Sequence, residues 1–409
     1  MNTSIKSSWF ISLCLLAIAG VWADSAQGEV RFKVREVRTL RAAPGEYFGR
    51  ASLQVLDDGT WVMTHIHSDH HFASHDGQIQ VIFSTDEGRA WSAPNRLPDG
   101  TPVAGMPSAP SPPESVYDPI EPYIYLAPNG DLLIAAMDVQ MKEPWHQHGC
   151  AWLTRSADKG ATWSKWQKAR FVGLPEGVHP DRIDLTQDSI VIGDAIYASA
   201  RIRAEKEPKV RFHKAIPGLF KSADNGRTWE FLNFCDKNAD WDRTLDSEAG
   251  IERVGPTQIV AVVRGDLIGT SVPGVARSDD LGKTWTPLVD VADRVQSWKR
   301  PRIYTIEHLE QLGHVKQHDA WWEDPVLVGT GVHQVSVKPF RRNVALWYSE
   351  DHGKTWSAPF DVDKPTEDAG YGDIRMRKNG DLVVVSYYGD FGEAAIKQYV
   401  VGVELDTQP

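Results

Sequence analysis

One eight-residue pattern, S-x-D-x-G-x-T-W, occurs five times and constrains this chain more than any other feature. The copies are STDEGRAW at Ser84–Trp91, SADKGATW at Ser156–Trp163, SADNGRTW at Ser222–Trp229, SDDLGKTW at Ser278–Trp285 and SEDHGKTW at Ser349–Trp356, and only Ala90 departs from the pattern. The Asp accepts hydrogen bonds from the backbone of its own tight turn, and the Gly supplies the positive φ that the turn demands. The Trp brings a large ring to bury against a neighbouring unit and an N–H that still needs an acceptor. The first residues lie 72, 66, 56 and 71 positions apart, room for a four-stranded antiparallel sheet and its loops in each interval. One copy therefore marks one sheet.

Alternating strands broken by DG, NG and GD turns fill those intervals. The first unit reads RASLQVL, TWVMTHI and IQVIFS; the next four follow as PYIYLA to CAWLTRS, SIVIG to GLFKS, GIERV to GVARS, and RPRIYTI to VALWYS. A sixth unit from Tyr371, with GDIRMR, DLVVVSYY and IKQYVVGVEL, has no repeat and is one strand short. The alternating segment Arg31–Leu40, RFKVREVRTL, is expected to supply that strand and hide the open edges of the ring. The expected fold is all-β, a six-bladed β-propeller over 29–406 closed by the N-terminal strand. Pro102–Pro122 and Glu205–Ala215 break the rhythm and read as long surface loops.

The first 23 residues read as an export signal, with Lys6, an apolar run Trp9–Val21 and small residues before Asp24. The run is short for a membrane span. The mature chain is therefore expected outside the cytoplasm, secreted or periplasmic, without insertion in a membrane and as a monomer. Loss of Cys14 with that leader leaves Cys150 and Cys235, which such a compartment allows to pair or to stay apart. The formal charge of −11 argues against nucleic acid or an anionic membrane as partner. An acidic ligand must therefore meet a local cluster of arginines.

In a propeller the first strand of each blade lines the channel, so residues where it starts, or where the second strand ends, converge on one mouth. Those places hold Arg50, Asp118 and Glu121, Asp184 and Arg201, Glu248 and Arg264, Arg300 and Arg302, and Tyr371.

The repeats resemble the Asp boxes, or BNR repeats, of the sialidase-like β-propellers. The resemblance implies a six-bladed exo-glycosidase acting on sialic acid or another acidic sugar in a glycan, without metal or other cofactor. Glu248 and Arg264 bracket EAGIERVGPTQIVAVVR as a strand-opening Glu and a strand-ending Arg do in that family. By resemblance Tyr371 is the nucleophile, Glu248 its base, and Arg50, Arg264 and one further arginine grip the substrate carboxylate. A neutral phenol suits an anomeric carbon that carries a carboxylate, because an anionic nucleophile would be repelled. KRPRIY offers Arg300 or Arg302 as the third arginine; Arg302, inside the run that reads as strand, is taken.

The first blade departs from the family. Its Arg-Ile-Pro is here Gly49-Arg50-Ala51, and counting back from the DG turn puts Arg50 one residue off register. The acid/base Asp should lie eleven residues before the box Ser, where Ala73 stands; Asp76 is taken in its place, with Asp69 on the other side. Between His65 and Asp76 the chain packs five His and two Asp, without a recognised ligand spacing. His65 and His67 are expected to contact the sugar, with a His base or a metal as the other readings of this loop. His146, His148, Trp321 and Trp322 are further candidates for a sugar-binding rim. The alternatives to a glycosidase are a propeller lyase, with a His and Tyr371 acting on a uronate, and a non-catalytic carbohydrate-binding propeller.

Overall fold

The computed structural model describes residues 29–71, 77–105, 118–139, 150–203, 215–239, 248–265, 273–291, 298–306 and 326–406. The leader, Asp76, His146, His148, Trp321 and Trp322 lie outside them, as do most of the two expected loops. The first of those loops ends sooner than expected, since strand begins at Asp118. Among the described residues the regular structure is strand apart from one 3-10 turn, Pro180–Arg182. No described helix is long and apolar enough to cross a membrane.

The strands form a β-propeller arrangement of antiparallel sheets, three of them four-stranded. Ile183–Ile192 leads a five-stranded sheet, because Arg170–Val172 adds a parallel edge to Thr228–Phe234. A seven-stranded sheet unites the first and last sequence units, which meet at the single pairing Tyr47 to Ala394. On its far side Glu29–Arg41 pairs antiparallel with Ala394–Asp406, so the segment expected to supply the sixth unit's missing strand does pair there.

Apolar residues cluster between neighbouring sheets. Leu132 and Ile134 meet Phe83, Trp229 meets Tyr125, and Ile259 meets Leu219. Trp298 and Trp347 pack against Val260, Val328 against Val384, and Leu53 against Val385. Each contact joins consecutive units, the last one joining the sixth to the first.

The repeats build these seams. In the fourth copy Ser278 Oγ donates to Asp280 at 2.8 Å and accepts from Gly282 N at 2.7 Å, while Asp280 accepts from Thr284 N at 2.8 Å. Trp285 Nε1 donates to the Gly282 carbonyl at 3.1 Å. Gly282 has φ +86, and a Cβ there would stand 2.1 Å from Leu219 Cδ2 of the preceding sheet. Conformation and close approach both demand glycine. Gly282→Ala is expected to lower stability by about 2–4 kcal/mol, read by denaturant unfolding. A loss below ~0.5 kcal/mol would show that this seam yields freely.

Cys150 and Cys235 are both buried and stay apart, with no disulfide between them, the second of the two choices left open by the sequence. Burial raises the Cys235 thiol well above its ordinary range.

Candidate active site

Four first strands carry the same irregularity at one end. Between Gly49 and Ser52, Ile120 and Tyr123, Lys299 and Arg302, and Gly370 and Asp373, the ladder gains one residue over its partner strand. The second residue of each bulge is left-handed: Arg50 at φ 59, Glu121 at 57, Arg300 at 43 and Tyr371 at 43. Such a conformation is disfavoured for residues with a Cβ and is held only where surrounding structure imposes it. Of the other left-handed non-glycine residues, Glu87, Lys159, Asn225, Leu281 and His352 directly precede a repeat glycine, and Asn95 stands apart. Strain outside the repeats is thus concentrated at these bulges.

A bulge re-aims the side chains that follow it, and here it delivers four residues to one place. The guanidinium carbons of Arg50 and Arg300 each lie 5.3 Å from the centre of the Tyr371 ring. Tyr371 is set by its neighbours: a Cβ on Gly370 would stand 1.9 Å from Val332 Cγ2, and one on Gly372 1.9 Å from the Val385 carbonyl oxygen. The sequence Gly370-Tyr371-Gly372 is required by that crowding.

A chain of buried ion pairs surrounds the ring. Arg50 Nη1 donates to Glu121, whose other oxygen meets Arg201 Nη2 at 3.1 Å. Arg201 also reaches Asp184 at 2.8 Å and Glu248 at 3.4 Å. Glu248, which precedes Ala249–Arg253, faces Arg264 Nη1 at 3.1 Å and accepts from Arg300 N at 2.8 Å. Arg300 Nη2 donates to the Thr186 carbonyl at 2.6 Å. Among the described residues, arginines 50, 201, 264 and 300 thus meet Glu121, Glu248 and Asp184, so cations outnumber carboxylates there in a chain that is acidic overall. Arg50 Nε and Arg300 Nη1 are buried without a hydrogen-bond acceptor among the described residues. Arg300 Nη1 stands 3.9 Å from Glu121 Oε2, beyond hydrogen-bond reach; a buried donor without a hydrogen bond is unfavourable, and a ligand carboxylate would offset it.

Burial, reinforced by the Glu248 charge and opposed by Arg264 and Arg50, pushes the Tyr371 hydroxyl up to about 12. The phenol is neutral at physiological pH, and Glu248 is the carboxylate whose charge acts on it most strongly.

The expected residues separate on this geometry. Tyr371, Glu248, Arg50 and Arg264 come together, and the bulge accounts for the one-residue discrepancy at Arg50. The arginine brought against Tyr371 is Arg300 and not Arg302. Arg302 stacks over Tyr123 at 4.4 Å and faces Asp188 at 3.9 Å. His65 and His67 are not brought to Tyr371. His65 is buried, its pKa lowered to about 3 chiefly by desolvation, and packs on Phe48 with ring centres 6.2 Å apart. His67 stacks on Phe48 at 4.4 Å and meets Glu46 Oε2 at 2.5 Å. Asp69 is exposed.

Among the described residues of that loop, His71 is the one that reaches the mouth. Its ring centre is 6.4 Å from that of Tyr371, its carbonyl accepts from Arg50 Nη2 at 3.0 Å, and its Nδ1 lies 2.5 Å from Asp368 Oδ2. Asp368, three residues before Tyr371, shows no motif in sequence. A charged or aromatic residue followed by a small residue or Pro (Arg50-Ala51, Glu121-Pro122, Arg300-Pro301, Tyr371-Gly372) is the sequence signal that marks the bulges.

Below this layer, Glu252 accepts from Arg253 N at 2.8 Å and Thr305 N at 3.2 Å. Burial and then the Asp188 charge, against those hydrogen bonds, push its carboxyl up to about 8. An unfolded Glu ionises near 4.5, so the folded state binds the extra proton between the two values and loses stability as pH rises from 4.5 to 8. Glu252→Gln should therefore melt above the wild type at pH 8 and level with it at pH 4. Equal melting differences at both pH values would contradict a raised Glu252.

Residues 347–358 match the BNR/Asp-box repeat family model. No curated protein matches the chain. A crystal structure of a protein of unknown function from Dyadobacter fermentans superimposes with TM-score 0.66 at 15% identity, over 91% of this chain and 99% of the other. The Hadza microbial sialidase Hz136 gives 0.61 at 18%, over 88% and 65%. Trypanosoma rangeli sialidase in complex with 2,3-difluorosialic acid, a covalent intermediate, gives 0.58 at 14%, over 86% and 54%. The chain spans less than two thirds of each of these two sialidase chains and shares their fold.

Proposed function

We propose that this sialidase-like BNR-repeat propeller is an exported exo-glycosidase that removes a terminal sialic acid, or a related acidic sugar, from glycans. The observation that carries the reading is the convergence of Tyr371, Glu248, Arg50, Arg264 and Arg300 from five separate strand starts or ends. The propeller is read as six blades, the sheet that pairs at Tyr47 and Ala394 counting as two, closed by Glu29–Arg41. Seams between every consecutive pair of units support that closure.

In this mechanism the guanidinium groups of Arg50, Arg264 and Arg300 hold the substrate carboxylate, which fixes the anomeric carbon over the Tyr371 hydroxyl. Glu248 takes the phenolic proton as the Tyr371 oxygen bonds to that carbon, and the aglycone departs. Water then attacks the same carbon, Tyr371 is released with its proton restored, and configuration is retained. The reaction needs no metal. Release of 4-methylumbelliferone from its sialoside, unaffected by EDTA, is the direct assay. Absence of release together with formation of an unsaturated product from a uronate polymer would replace this reading by the lyase.

A further inference from the structure

One buried group at the mouth has no part in the mechanism so far. His71 is 6% exposed and Asp368 is fully buried. Asp368 Oδ2 faces His71 Nδ1 at 2.5 Å and accepts from the Tyr47 hydroxyl at 3.2 Å. Its Oδ1 accepts from Arg342 Nη1 at 2.8 Å and from the Tyr387 hydroxyl at 3.2 Å. The Tyr47 hydroxyl also meets His71 Nδ1 at 2.8 Å, and Phe391 packs on the ring with centres 5.3 Å apart. Four elements thus fix one imidazole 6.4 Å from the Tyr371 ring. A carboxylate on Nδ1 sets the tautomer and stabilises the imidazolium, which leaves proton exchange to Nε2.

We propose that His71, oriented by Asp368, exchanges the proton of the leaving oxygen in the glycosidase reaction, an assignment that rests on that reading. Ala73 stands where the family has its acid/base aspartate, and His71 takes over the task from two residues away. In the first step Nε2–H of the imidazolium passes to the glycosidic oxygen as its bond to the anomeric carbon breaks and the Tyr371 bond forms. In the second step Nε2 takes a proton from the attacking water while Glu248 returns one to Tyr371, so both groups end as they began. His71 is the catalytic residue here, and Asp368 is a positioning residue.

Among the described residues, the charged and titratable groups that face His71 include Asp368, Tyr47, Tyr387, Arg50 and Arg342. Burial lowers the imidazole from its ordinary 6.5, and Asp368 only partly restores it. The acid form is therefore lost as pH rises through that lowered value.

The test compares sialyllactose, whose leaving alkoxide needs a proton, with sialyl fluoride, whose leaving group does not. His71→Gln should lose roughly 10²-fold or more in kcat/KM on sialyllactose and much less on the fluoride. Asp368→Asn should shift the same ratio in the same direction and serves if His71→Gln does not fold. In the wild type, kcat/KM on sialyllactose should fall as pH rises through the lowered imidazole value while the fluoride shows no such limb. Parallel losses on both substrates, or no loss, would overturn the proposal and leave the glycosidase reading standing. A wild type that turns over neither substrate would overturn both.

Discussion

Replacing Tyr371 by Phe is expected to reduce turnover of an aryl sialoside by a factor on the order of 10³ or more. The substitution removes one oxygen and leaves the ring between Arg50 and Arg300, each guanidinium 5.3 Å away. The close approaches that set the bulge, Gly370 to the Val332 side chain and Gly372 to the Val385 carbonyl, do not involve the hydroxyl and remain. The variant should fold, and thermal stabilisation by an acidic sugar analogue should persist, because the arginines that bind the carboxylate are untouched. Loss of rate with retained binding assigns the effect to chemistry. A binding propeller would show no wild-type turnover, and Tyr371→Phe would change affinity alone.

The second large effect separates Arg300 from Arg302. Arg300→Met removes a cation from above Tyr371 and a donor to Thr186, and is expected to lower kcat/KM on an acidic glycoside roughly 10²-fold, mostly through KM. Its backbone N–H still reaches Glu248, so the catalytic base stays placed. Arg302→Met leaves Asp188 without the cation 3.9 Å away and should cost about 3 kcal/mol of stability while changing kcat/KM little. The opposite partition, with Arg302→Met impairing KM and Arg300→Met only stability, would return the carboxylate site to Arg302. Kinetics and urea unfolding on the two variants decide it.

The repeats were readable because a tight turn places strict demands on single positions: an acceptor two residues after Ser278, a positive φ at Gly282, a buried ring at Trp285. Strand starts were harder. Period-two alternation assumes a regular ladder, and the bulges at Arg50, Glu121, Arg300 and Tyr371 each insert one residue, which reverses the faces counted from the turn. That reversal made Arg50 look misplaced and made Arg302, inside the regular run, look better than Arg300. Histidine density pointed to the loop that reaches Tyr371 but not to the described ring that does so. His65 and His67 alternate along a strand whose face packs on Phe48, whereas His71 lies past the strand end and is caught by Asp368, 297 positions later in the chain. No local pattern announces such a pair.

The central claim is that the Tyr371 oxygen becomes bonded to the anomeric carbon of an acidic sugar. Intact-protein mass spectrometry after incubation with 2,3-difluorosialyl fluoride, followed by peptide mapping, tests it most directly. The expected result is one added difluorosialyl group, on the peptide that contains Tyr371, absent from Tyr371→Phe. No adduct with a wild type that cleaves sialosides, or an adduct on any other residue, would contradict it.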